Sequence, residues 1–235
     1  MNELAVLCAT GATIGVVHTV LGPDHYLPFV AMARARKWSK TKTTAITAIC
    51  GVGHVLGSVA LGFLGIALGV AVSRLEGFES VRGDVAAWML VAFGLAYTVW
   101  GIRRGILNRP HTHTHFHADG IEHSHTHTHA SEHLHVHEGP KKASITPWIL
   151  FTVFVFGPCE PLIPILMYPA ATHNTLAVVL VALIFSAATI GTMLVMVTVL
   201  SAGAARLPTE GLDRWMHALA GAAILVCGIA IHMGL

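Results

Sequence analysis

Six apolar runs dominate this chain: Leu4 to Ala33, Thr44 to Val72, Val85 to Ile102, Ile145 to Thr172, Leu176 to Ala202 and Trp215 to Met233. Each meets the ~20 residues that a membrane-spanning helix needs. Only 11% of the residues are charged and mean hydropathy is +0.67, so the runs are not the buried helices of a large soluble domain. They predict an all-α integral membrane protein with six transmembrane helices. A net charge of +2 excludes an electrostatic case for nucleic acid. No basic stretch precedes the first run, whose nearest charge is Glu3, so that run is expected to remain as a span.

The basic residues predict orientation. Arg34, Arg36, Lys37, Lys40 and Lys42 follow the first run with no acid among them, while Arg103, Arg104, Arg109, Lys141 and Lys142 flank the connection after the third. The positive-inside rule puts both connections in the cytoplasm. The connection after the second run, with Arg74, Glu76, Glu79, Arg82 and Asp84, is expected outside, as are both termini. The chain then divides into a three-helix membrane repeat at 1–103, a cytoplasmic loop at 104–143 and a second three-helix repeat at 144–235.

That loop contains "HTHTHFHADGIEHSHTHTHASEHLHVH", with His111, His113, His115, His117, His123, His125, His127, His129, His133, His135 and His137. Alternation with Thr and Ser has strand period, but neither face is apolar, so nothing offsets the ordering entropy and disorder is expected. Neutral imidazoles are good ligands for Zn, Cu, Ni and Co, and a flexible chain gathers several around one ion. The segment reads as a cytoplasmic metal collector.

The first run is too long for one straight span: as a continuous helix it would measure ~45 Å against a hydrocarbon core of ~30 Å. Gly22-Pro23 is its natural break. Asp24 and His25 sit at the break, and His18 lies two helical turns before His25. A charged Asp costs at least ~2.5–3.5 kcal/mol at mid-bilayer, so an ionisable group there points to function. His54 follows in the second run, between Gly51, Gly53 and Gly57, small residues that let helices approach closely. The fourth run, "FVFGPCEPLIPILMYPA", carries Pro158, Pro161, Pro164 and Pro169, with Glu160 among them. Gly157-Pro158-Cys159-Glu160-Pro161-Leu162 aligns with Gly22-Pro23-Asp24-His25-Tyr26-Leu27, giving two inverted three-helix repeats with broken helices one and four, a transporter pattern.

From the residues alone, His18, His25 and His54 offer nitrogen ligands, and Asp24 and Glu160 offer charge, for a divalent transition-metal cation. The expected function is transport by alternating access, not enzyme catalysis, with the metal ion as substrate, the bilayer as surroundings and no resident cofactor. The motif "HTVLGPDH" resembles the early His-and-Asp-His signature of the nickel/cobalt transporter superfamily, in its urease-accessory membrane-protein branch, and "GVGHVLGS" is similar to that superfamily's next motif. The six-span layout with a His-rich connection resembles its nickel/cobalt efflux branch. The resemblance implies metal ligands at His18, Asp24, His25 and His54, and nickel or cobalt as the ion, with zinc also accommodated.

Two other classes fit parts of the chain. Cys159 in "GPCEP" resembles the membrane electron carriers that pass reducing equivalents through paired intramembrane cysteines, which requires a partner thiol where this chain has Asp24. A small anion exporter of the sulfite-exporter kind would use the half-helix starts after Pro23 and Pro158. No Arg or Lys sits within the predicted spans to assist it.

Overall fold

The computed structural model describes residues 3–107, 111–116, 122–127, 145–157, 159, 161–172, 174–208 and 211–233. The first apolar run forms α1 (Glu3–Leu21), a 3-10 turn (Pro23–His25) and α2 (Leu27–Ala35); the second and third form α3 (Lys40–Ala67) and α4 (Val72–Leu107). The fourth run divides into α5 (Thr146–Phe156) and α6 (Leu162–Ala171), followed by α7 (Thr175–Arg206) and α8 (Met216–His232). Five helices, α8 being counted from Asp213, are long and apolar enough to cross a membrane. The protein is a multi-pass, membrane-embedded helical bundle.

Both breaks fall where the Gly-Pro pairs lie. The last α1 bond runs from the Gly22 amide to the His18 carbonyl, and Pro23, which has no amide proton, opens the 3-10 turn. In the second half the helix stops at Phe156 and restarts at Leu162, with Pro161 as the residue before the first turn. Pro164 sits in that turn, where no intrahelical donor is required; Pro169 is carried inside α6.

Glycines set the packing. Along α4 and α8, Gly94 faces the Leu225 backbone, Gly101 that of Ala218, Gly221 that of Thr98 and Gly228 that of Val91, so two antiparallel helices lie backbone to backbone with no room for a Cβ. Gly11 meets Val181 and Gly15 meets Phe185 and Thr189, which makes α1 and α7 parallel. Gly53 and Gly57 of α3 meet Phe151 and Val155 of α5, and Gly62 meets Leu166 of α6. One core gathers Phe29, Met32, Leu150, Phe154, Met193 and Ile224; a second gathers Cys159, Leu162, Leu166, Val181 and Phe185. The outer faces are also apolar, with Leu21, Leu56, Trp88, Trp148 and Val195 exposed, as lipid contact requires.

One expectation is corrected. Arg74 to Asp84 is not a connecting loop: α4 begins at Val72 and takes these residues into a helix of 36 residues, leaving only 68–71 between α3 and α4. The charges are tolerated because Glu79, 0% exposed, has its partners inside the bundle. Two stretches of the histidine segment are described. β1 (His111–Phe116) and β2 (Glu122–His127) pair antiparallel, with His111 opposite His127, His113 opposite His125 and His115 opposite His123. The ladder satisfies their backbone groups without an apolar face. His117, His129, His133, His135 and His137 lie outside the described residues.

Candidate metal centre

Three separate pieces of chain bring the intramembrane histidines together. His18 stands in the last turn of α1, His25 closes the 3-10 turn and His54 lies near the middle of α3. The His18 and His25 ring centroids are 4.7 Å apart, and those of His25 and His54 are 5.0 Å apart, both edge to face. One nitrogen from each ring lies within 4.8 Å of the others. Nitrogens bound tetrahedrally to one ion at ~2.0–2.1 Å stand roughly 3.4 Å apart, so modest ring rotation closes the set.

The proton arrangement favours a ligand at the centre. His25 Nδ1 lies 3.1 Å from the Gly22 carbonyl oxygen and 3.2 Å from Asp24 Oδ1. With two acceptors facing it, Nδ1 carries the proton, and Nε2 of the neutral ring presents its lone pair. Among the described residues, His18 Nε2 and His25 Nε2 are buried without a hydrogen-bond partner, and the fully buried His54 ring has at most the Phe154 backbone beside it. Buried polar atoms left in this state cost about 1–3 kcal/mol each. Their convergence at one place is what a metal ion resolves.

Asp24 occupies a different place from the one expected of a ligand. Its carboxylate bonds to His25 Nδ1, and it is not in the trio of converging ligand atoms. There it fixes the His25 ring and places negative charge beside the three histidines. Gly22 permits this turn: a Cβ there would lie 2.5 Å from His25 Nδ1 and 2.9 Å from Asp24 Oδ1. A cavity of about 20 Å³ adjoins the trio, with Asp24, His54 and Gly157 on its polar side and Leu90, Val153 and Phe154 among its apolar walls. This holds about one water-sized occupant.

Glu160 lies outside the described residues. The second break instead shows a network that sequence reasoning missed. Glu79 accepts from Ser58 Oγ at 3.0 Å, from the Cys159 amide at 3.1 Å and from Arg82 Nη1. Arg82 Nη2 donates to the carbonyls of Gly157 at 2.9 Å and Val155 at 3.3 Å, the orphan acceptors at the end of α5. The only sequence signal was the i,i+3 spacing of Glu79 and Arg82. All four cysteines are free; Cys50 belongs to the first core and Cys159 to the second.

Residues 27–230 match the family model described as the cytochrome c biogenesis protein transmembrane region. The chain belongs to that family. No curated protein and no solved structure matches it. This membership overturns the resemblance to the nickel/cobalt transporter superfamily. That resemblance rested on short motifs whose residue types any glycine-packed helix with intramembrane ionisable groups can contain. The His18–His25 motif also lies ahead of the residues matched to the cytochrome c biogenesis transmembrane family. The preference for nickel or cobalt came from the resemblance and goes with it.

Proposed function

We propose that this family member binds a transition-metal cation inside the membrane at His18, His25 and His54 and passes it through the bilayer. The observation that carries the reading is the convergence of three imidazoles, with buried ring nitrogens that have no hydrogen-bond partner among the described residues. Imidazole suits Zn, Cu, Ni and Co rather than Mg or Ca, and the residues do not choose among the first four. The family description names cytochrome c biogenesis and no metal, so it lends this reading no support and sits better with transfer of reducing equivalents. Packing of α1 along α7 and of α5 along α3, with a break in each half, supports two inverted repeats that rock about the site. Sidedness follows the positive-inside rule, with the histidine segment collecting ions in the cytoplasm; its hairpin register sets three pairs of histidines opposite one another.

A second reading, transfer of reducing equivalents, is favoured by the family membership and by the position of Cys159 at the second break. It needs a thiol able to pair with Cys159; Cys50 lies in a different core, whereas the free Cys8 packs against the same core as Cys159.

One experiment separates the two. The chain lacking residues 111–137 is purified in detergent, stripped with chelator and dialysed against Zn, Cu, Ni or Co, then reconstituted into vesicles containing a metal-sensitive dye. The expected result is one tightly held ion per chain and metal-dependent dye response, both lost in His54→Ala and retained in Cys159→Ser. Binding that ignores His54→Ala would overturn the metal reading. Loss of reductant-dependent thiol labelling in Cys159→Ser would support the second.

A further inference from the structure

A second cavity, of about 670 Å³, lies between the end of α2, the start of α3 and the end of α7. Arg34, Lys37, Lys40 and Arg206 line it, and among the described residues of the lining there is no carboxylate. Val30 and Val197, both buried, form part of an apolar floor, and Trp38 stands at its side. Ser201, also in the lining, has a buried Oγ with no hydrogen-bond partner.

Helix ends alone do not account for these cations. Arg34 and Arg206 occupy last turns, where positive charge offsets the helix dipole. Lys40 occupies the first turn of α3, a helix of 28 residues with no acid there, so its charge faces the positive end of the dipole. Lys37 adds a further charge to the same wall, with its backbone in the left-handed region at φ 50. An anion in the cavity relieves these: it neutralises Lys37 and Lys40 and meets the amide end of α3.

We infer that this cavity is a binding site for a phosphoryl anion. The apolar floor and the indole suit the headgroup and upper chain of an anionic phospholipid, the ligand that basic pockets between membrane helices take. Free phosphate shares the same charged chemistry. The site is separate from the histidine centre, and neither assignment depends on the other.

The test uses purified, delipidated full-length protein in native mass spectrometry with phosphatidylglycerol, phosphatidylcholine or inorganic phosphate. Phosphatidylglycerol should bind about tenfold more tightly than phosphatidylcholine, as fits loss of about one unit of favourable charge interaction at 1.4 kcal/mol per factor of ten. Lys40→Gln with Arg206→Gln should remove that preference, and Lys37→Gln alone, at an exposed position, should reduce it two- to threefold. Lys42→Gln, which is not in the lining, should leave it intact. Phosphate that binds alone and displaces the lipid supports the site with a soluble anion as its source; binding of phosphatidylglycerol only supports a lipid source. Equal binding of both lipids without phosphate binding, or a preference that survives both lining variants, would overturn the inference.

Discussion

The two helix breaks have similar sequences and opposite chemistry. At the first, Gly22-Pro23 leads to His25, whose Nδ1 is held by Asp24 and the Gly22 carbonyl while its Nε2, like His18 Nε2, has no partner among the described residues. At the second, the protein supplies the partners itself: Arg82 takes the Gly157 and Val155 carbonyls, and Glu79 takes the Cys159 amide. One break has its freed groups satisfied within the chain; at the other, buried ring nitrogens stay unpaired among the described residues. The comparison teaches that a Gly-Pro interruption in a membrane helix is not by itself a binding site; what matters is whether its freed polar groups are already satisfied.

This contrast predicts separable effects on stability and binding. Removing Glu79 should have the largest structural effect. Glu79→Ala leaves a charged Arg82 and the Cys159 amide without their shared acceptor, which should cost about 3–5 kcal/mol in unfolding of the detergent-solubilised protein, as breaking a buried pair does. A cost below 1 kcal/mol would show that the network does not hold the second break. At the first break the effect should fall on binding. Asp24→Asn keeps the shape but removes the charge that orients His25, and should weaken metal affinity by about 10–100-fold in equilibrium dialysis while changing stability little. Unchanged affinity would remove Asp24 from its orienting role. The smallest effect is expected for Cys159→Ser, because its contribution to the second break is its backbone amide, which Ser retains; a melting temperature within a few degrees of the unmodified chain is the expected result.

Much of the bundle was legible in sequence because apolar length and Gly-Pro punctuation are local signals. They gave the multi-pass helical character and the break between α1 and α2, but among the described residues five helices, not six, are each long and apolar enough to span. The histidine trio was legible as residue types, since His18, His25 and His54 are the histidines inside the first two apolar runs, but their meeting depends on α3 passing the turn between α1 and α2. The role of Asp24 was not legible: a carboxylate beside a histidine reads as a ligand until the Nδ1 contact is seen. Glu79 and Arg82 were read as loop residues because charge in sequence suggests water. Their mutual pairing and their partners Ser58, Val155, Gly157 and Cys159, far away in the chain, make a buried place for them. The family was hidden for a related reason, as short ligand motifs were given more weight than the pattern of the whole membrane region, which the match over residues 27–230 reads.

The central claim, that the first break is completed by an ion on three imidazoles, is tested most directly by X-ray absorption on the chain lacking residues 111–137 and loaded with one equivalent of zinc. The account predicts three nitrogen ligands at ~2.0–2.1 Å with imidazole scattering, and loss of one of them in His54→Ala. Sulfur ligands at ~2.3 Å, or a spectrum of oxygen ligands unchanged by His54→Ala, would contradict it.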